Sequence, residues 1–172
     1  MSTEKFTLTI NAPASKIWTV LSDFSNIQMF HPNVRDVDQL SEVDRGVGAA
    51  RRCNFYDGGS AVEKITTWDN EQRSFTCTVT EIAAPIQDIT SSMWVETIDS
   101  QRSKVHIEMS YTPKWGILGV ILNALVLRFA LQSVFKKVLT GLQTHLETGK
   151  EVGKNGKPTP GFRQDTPTQL QG

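Results

Sequence analysis

The sequence predicts an α+β domain: a meandering antiparallel sheet of about seven strands packed against a long C-terminal helix, with two short helices after the first strand. Three observations predict it. Apolar–polar alternation separated by turn clusters fills the chain from Val34 to about Tyr111. Trp115 to Gly149 carries apolar residues at helical spacing. A short alternating segment opens the chain and a proline-led helix follows it.

The elements follow in order. Phe6-Thr7-Leu8-Thr9-Ile10 alternates with period two, as a half-buried strand does. Asn11-Ala12-Pro13 stops it and starts a helix, because proline's missing N–H is unpaired in a first turn anyway. Ile17, Val20, Leu21 and Phe24 fall on one helical face. A short second helix or turn carries Ile27, Met29 and Phe30, and His31-Pro32-Asn33 ends it. Val34–Leu40 is the next strand. Ala49–Tyr56, Ala61–Trp68, Ser74–Ile82, Ile86–Glu96 and Lys104–Tyr111 follow, with Asp57-Gly58-Gly59 and Asp69-Asn70-Glu71 as turns. Short connections make these hairpins, hence an antiparallel sheet. In the final helix Leu118, Ile121, Leu122, Leu125 and Phe129 form one face, continued by Leu131, Phe135, Val138, Leu142 and Leu146. Gly116 and Gly119 admit a loop or kink at its start, and Gly149 reads as its cap. Residues 1–149 form the expected domain. Lys150 to Gly172 holds little to bury and reads as a flexible tail.

At 172 residues one domain is the default, with 18 basic and 18 acidic side chains and zero net charge. That balance argues against nucleic acid, which demands a concentrated positive surface. Cys53 and Cys77 lack CxxC spacing, so free thiols are expected rather than a disulfide frame. Met1-Ser2-Thr3-Glu4-Lys5 is polar and has no signal-peptide pattern, which points to a cytoplasmic protein. Ile117–Leu127 is strongly apolar but much shorter than the roughly 20 residues a span needs, so no integral membrane segment is expected. No feature indicates an oligomeric state.

The ordered set Ile10-Asn11-Ala12-Pro13-Ala14-Ser15-Lys16-Ile17-Trp18, Asp23-Phe24-Ser25-Asn26, Met29-Phe30-His31-Pro32, Val47-Gly48-Ala49-Ala50-Arg51, Val62-Glu63-Lys64-Ile65 and Thr67-Trp68-Asp69, with the long last helix, carries a resemblance. It resembles the START-like (Bet v 1-like, SRPBCC) superfamily, in the group described as polyketide cyclase/dehydrase and lipid transport, over roughly residues 5–148. The resemblance implies a helix-grip fold, a curved sheet around the C-terminal helix with an apolar cavity between them. It implies a hydrophobic small-molecule ligand such as a lipid, quinone or polyketide. A minority of the superfamily are enzymes. Physics agrees: where a curved sheet leaves the helix, an apolar pocket opens, with a few polar groups to orient a ligand.

Strand parity nominates the lining. Arg51, Cys53 and Phe55 share one face; Phe75, Cys77 and Val79 share another; Ile89, Ser91, Met93 and Val95 share a third. Each is the more apolar face of its strand. Arg51, Phe55, Phe75, Ile89, Ser91 and Met93 are therefore candidate ligand-binding residues, and the resemblance adds Glu63 to them. Glu63 shares parity with Ala61, Ile65 and Thr67, and the resemblance to plant hormone receptors of the superfamily implies a cavity glutamate there. A carboxylate in an apolar cavity would hold water, pair with Arg51, or have a raised pKa. Its other reading is a salt bridge on the outer rim, since Val62, Lys64, Thr66 and Trp68 are no less apolar. The resemblance could bring Glu108 into the cavity, but alternation favours Val105, Ile107, Met109 and Tyr111 inward and Lys104, His106, Glu108 and Ser110 outward. Asn123 and Arg128 read as solvent-facing, and Lys136 and Lys137 as a solvated face.

Catalytic signatures are scarce. His31, His106 and His145 form no HxxxH or HxH pair, so no metal site is read, and no cofactor is expected. His31 reads as a local turn residue and His145 as a cation at a helix end. GxSxG, a P-loop and a strand-following GxGxxG are lacking. The expected function is a carrier or sensor that binds a hydrophobic small molecule without turnover. The alternatives are a cyclase or dehydratase-like enzyme using Glu63 or His31 as acid–base group, with Tyr56 or Tyr111 assisting, and a protein-interaction module with a vestigial pocket.

Overall fold

A computed structural model describes residues 1–114 and 117–159, with side chains described for all of these except 117–125 and 155. Seven strands run in the chain order β1 Ser2–Ile10, β2 Val34–Gln39, β3 Ala50–Phe55, β4 Ser60–Asp69, β5 Ser74–Thr80, β6 Ile86–Thr97 and β7 Ser103–Pro113. Two α-helices accompany them, α1 Ala14–Leu21 and α2 Ile117–Thr148, with 3-10 turns at Phe24–Met29 and Lys154–Gly156. The sheet order is β1-β7-β6-β5-β4-β3-β2, antiparallel throughout. β1 and β2 thus take opposite edges, and α1 with the first 3-10 turn carries the chain from one edge to the other. This is the α+β architecture expected from the alternation, in the helix-grip arrangement that the resemblance implies.

β1 begins at Ser2 rather than Phe6, with Glu4, Phe6, Leu8 and Ile10 less exposed than the residues between them. Polar Glu4 hid this start, and it faces α2, where Gln132 Nε2 donates to it at 3.0 Å and Arg128 Nε lies at 3.4 Å. Helix α2 packs through Phe135, Val138, Leu139 and Leu142, all within 3% of full burial. Gly149 caps it in the left-handed region at φ 68, its N–H donating to the His145 carbonyl. Helix α2 and the end of the first 3-10 turn meet closely at Gly141, where a Cβ would lie 2.2 Å from the Phe30 carbonyl oxygen. Any side chain there would have to push the helix off the His31-Pro32 corner.

Four expectations change. Phe129, assigned to the core face of α2, is 71% exposed, because the turn around it rests on β1 through Arg128 and Gln132 instead. Trp68, which strict alternation sets on the face opposite Glu63 and Ile65, instead shares their inward side. A β-bulge between Ile65 and Thr67 inserts one residue and reverses the parity beyond it, so Trp68 pairs with Phe75 while Thr67 is exposed. His106 lies on the outer face yet is only 7% exposed. Trp94 stacks on its ring at 4.7 Å, Thr7 Oγ1 is 2.9 Å from Nδ1 and Glu96 Oε2 is 3.2 Å from Nε2. Part of the C-terminal stretch is also folded: buried Val152 donates its N–H to the Met29 carbonyl, and Glu151 and Thr159 close a small loop. Gly119 is helical, whereas Trp115, Gly116, the Asn123 side chain and residues 160–172 lie outside the described residues. Among the described residues, no helix is long and apolar enough to cross a membrane.

Candidate functional site

The inner face of the sheet divides into a filled end and a hollow end. At the filled end Trp18, Phe24, Trp68 and Phe75 form an aromatic cluster with ring centroids 5.0–6.4 Å apart. Trp18 keeps its polar edge satisfied by donating Nε1–H to Asn70 Oδ1 at 2.7 Å. At the hollow end a half-open cleft of about 940 Å³ lies between the sheet and α2. Cys53, Phe55, Ala61, Val79 and Ile89 line its sheet wall, and Leu127, Leu131, Val134 and Phe135 line its helix wall. Alternation selects the sheet residues and helical spacing the others.

One polar device stands in the sheet wall. Glu63 and Arg51 are directly opposite one another in the β3–β4 pairing. Arg51 Nε donates to Glu63 Oε2 at 2.7 Å and Nη2 to the same oxygen at 2.5 Å. Its remaining Nη1 donates to the Phe24 carbonyl, and its guanidinium lies 3.7 Å above the Phe24 ring. The arginine side chain is 5% exposed and the glutamate 18%. Burial is the largest single influence on Arg51 and lowers its pKa, but the charge and hydrogen bonding of Glu63 together with the neighbouring Cys53 and Cys77 outweigh it, and the net direction is upward. The Cys53 thiol also reaches Oε2, at 3.8 Å. Oε1 accepts none of the hydrogen bonds found among the described residues, and Glu63 borders the cleft. The site therefore offers a ligand one carboxylate oxygen held in place by an arginine behind it.

His31 lies in the rim beside Pro32 and Asn33. Its Nδ1 accepts the Asn33 N–H at 3.2 Å, so in the neutral ring Nε2 carries the proton. Desolvation, only partly opposed by Glu63, pushes its pKa down to about 4, and the ring is neutral at pH 7. Desolvation likewise pushes Cys53 up to about 12 and Cys77 well above its ordinary value. Both thiols stay protonated and are poor nucleophiles. Among the described residues no three His, Cys, Asp or Glu side chains group as metal ligands.

Of the residues nominated by parity, Phe55, Glu63 and Ile89 border the cleft and Arg51 stands behind Glu63. Phe75, Ser91 and Met93 are buried on the same face but outside the cleft, Phe75 within the aromatic cluster. Glu108 lies outward, in register with Lys5. Alternation did not reveal the rim, where His31, Tyr56, Asp57, Lys136, Lys137 and Lys154 gather. They come from loops and an exposed helix face, where no periodicity marks a shared destination. The HP dipeptide at His31 was the one local signal, and it reads equally as a turn.

Comparisons with known proteins place this geometry. A family model described as polyketide cyclase / dehydrase and lipid transport matches residues 3–147. No curated protein sequence matches. Among solved structures, a protein from Thermobifida fusca is 23% identical with TM-score 0.73, covering 85% of this chain and 93% of that one. Zhui aromatase/cyclase from Streptomyces sp. R1128 is 18% identical with TM-score 0.63, covering 86% and 97%. A START superfamily protein from Mycobacterium smegmatis is 12% identical with TM-score 0.68, covering 86% and 99%. At these identities the likeness is one of fold.

Proposed function

We propose that this chain, which belongs to the polyketide cyclase/dehydrase and lipid transport family, binds a hydrophobic small molecule between its sheet and α2, as a carrier or sensor. A lipid, quinone or polyketide fits the description. The observation that carries the reading is the cleft of about 940 Å³, walled mainly by apolar side chains and presenting the free oxygen of an arginine-held Glu63. That volume suits a small molecule, and one fixed acceptor among apolar walls sets orientation. Phe55 and Ile89 supply contact, Glu63 accepts a ligand hydroxyl, and Arg51 positions Glu63. Residues 1–149 form the binding unit, with 150–159 packed at its rim. Two buried cysteines that form no disulfide suit a reducing, cytoplasmic setting.

Native mass spectrometry of the purified protein, followed by solvent extraction, tests this. A discrete apolar mass released on extraction is the expected result. An unliganded protein that also shows no thermal shift with a panel of lipids, quinones and aromatic polyketides overturns it.

A second reading draws on one observation: neutral His31 and the free oxygen of Glu63 border the same cleft. A donor and an acceptor facing one substrate could support a cyclase or dehydratase step. Glu63→Gln then abolishes turnover of a polyketide-like substrate and leaves its binding in place. Unchanged turnover in that variant removes Glu63 from any such mechanism.

A further inference from the structure

We infer that the ligand is an amphipathic acid, an apolar body with one terminal carboxylate or phosphate monoester, whose anionic end is held at the cleft rim by Lys136, Lys137 and Lys154. The inference rests on the apolar-ligand reading and adds the chemistry of the ligand's head.

Charge is distributed unevenly across a chain whose net charge is zero. Within the cleft wall Arg51 and Glu63 cancel one another. What remains at the rim is Lys136 and Lys137 from α2, Lys154 from the C-terminal segment, and Asp57 as the acid. Asp57 Oδ1 is already engaged by the Gly59 N–H at 2.9 Å. None of the three lysines takes part in the ion pairs found among the described residues. His31, also at the rim, is neutral at pH 7 and adds no opposing charge. Three like charges bordering one apolar opening repel each other and attract an anion.

The third lysine is placed by built structure. Val152 is fully buried and tied by its N–H to the Met29 carbonyl at 2.9 Å. Gly153 N–H donates to the Lys157 carbonyl, and Gly156 turns the chain in the left-handed region at φ 75. These bonds hold Lys154 and Gly156 against the cleft. The segment lies beyond residues 3–147 matched by the family model. An acid inserted head-first would meet the Glu63 carboxylate in the wall, whereas head-out it meets the lysines.

Displacement of Nile red, a neutral apolar dye, by decanoate, decyl phosphate and decanol tests this on the full chain. At low salt both anions should displace the dye at concentrations about tenfold below that of decanol, or lower. High salt should shrink that preference through screening. The readout is the ratio of anion to alcohol within each protein. In Lys136→Gln/Lys137→Gln/Lys154→Gln the ratio should fall toward one, and the corresponding triple Lys→Arg variant should keep it. Preference for phosphate over carboxylate, or the reverse, names the acid and supports the inference either way. Equal potency of decanol and the anions in the unaltered protein overturns it, as does a preference indifferent to salt. Dye binding would survive that failure, and the apolar-ligand reading with it. Absence of dye binding, with no thermal shift from any of the three amphiphiles, sinks both. If the glutamine variant fails to fold, the salt arm decides alone.

Discussion

Phe75 and Phe55 stand on the same face of the same sheet, yet one is packed on every side and the other borders open space. Phe75 is 5% exposed and touches Trp18, Phe24 and Trp68. Phe55 is half-buried and lines the cleft. The difference teaches that facing inward and lining a site are separate properties. Alternation decides the first; what covers the strand decides the second. α1 and the 3-10 turn bring aromatics down onto the filled end, whereas the hollow end is roofed by the aliphatic Leu127, Leu131 and Val134.

The largest effect should come from truncating the filled end. Phe75→Ala should cost about 3–5 kcal/mol, since the ring leaves a cavity among rigid neighbours. Phe55→Ala should cost less than about 1.5 kcal/mol, because its ring already borders open volume. Urea unfolding of both variants decides the matter, and equal losses would erase the distinction between the two ends. Next in size is the ion pair between them. Arg51→Met leaves Glu63 in a low-dielectric wall without its partner and should cost about 3 kcal/mol. Adding Glu63→Leu should restore most of it, and chemical denaturation of the single and double variants measures the recovery. No recovery would mean that Arg51 acts through its Phe24 contacts instead.

A more gradual effect follows from His31. Its pKa in the folded protein is about 4 against an ordinary 6.5, so the unfolded chain binds the proton more readily. Stability should be intact above about pH 6.5 and decline as pH falls toward 4, at up to about 1.4 kcal/mol per pH unit, the limit for one proton. His31→Asn should flatten that window in a pH series of thermal melts; an unchanged slope would assign the loss to other groups. The smallest effect touches no stability at all. Cys53 and Cys77 should resist iodoacetamide at pH 8 in the folded protein and react once unfolded, as counted by mass spectrometry. Rapid labelling of folded Cys53 would show that the hollow end opens more widely than the cleft does here.

Much of this was legible in the residues. All seven strands, both helices, the Gly149 cap and the inward face of β3, β5 and β6 follow from period and punctuation, because burying one face imposes them locally. Trp68 was not legible. A bulge adds a residue without a compositional mark, and reading parity straight through it sends the ring to the wrong side. Nor was the covering of His106, which depends on Trp94 and Lys5 from neighbouring strands. The site was half-legible: parity set Phe55 and Phe75 on one face without separating the one that borders the cleft from the one that does not, and it left the side of Glu63 open. The lysines of the rim meet only through tertiary folding, so their sequence positions look like ordinary solvated surface.

The strand order carries one more consequence. A sheet that runs from β1 to β2 without closing leaves backbone N–H and C=O groups facing outward along β2. Such an edge invites a strand from another molecule, and β2 guards it. Its sequence is VRDVDQ, with a register shift between Val34 and Asp36, and Asp36 and Asp38 are both bonded by Asn54 of the neighbouring strand. An incoming chain would have to match an irregular ladder and set its own side chains against two carboxylates. The edge is thereby protected from edge-to-edge aggregation, and a hydrophobic replacement of Asp36 and Asp38 would remove that protection without touching the core.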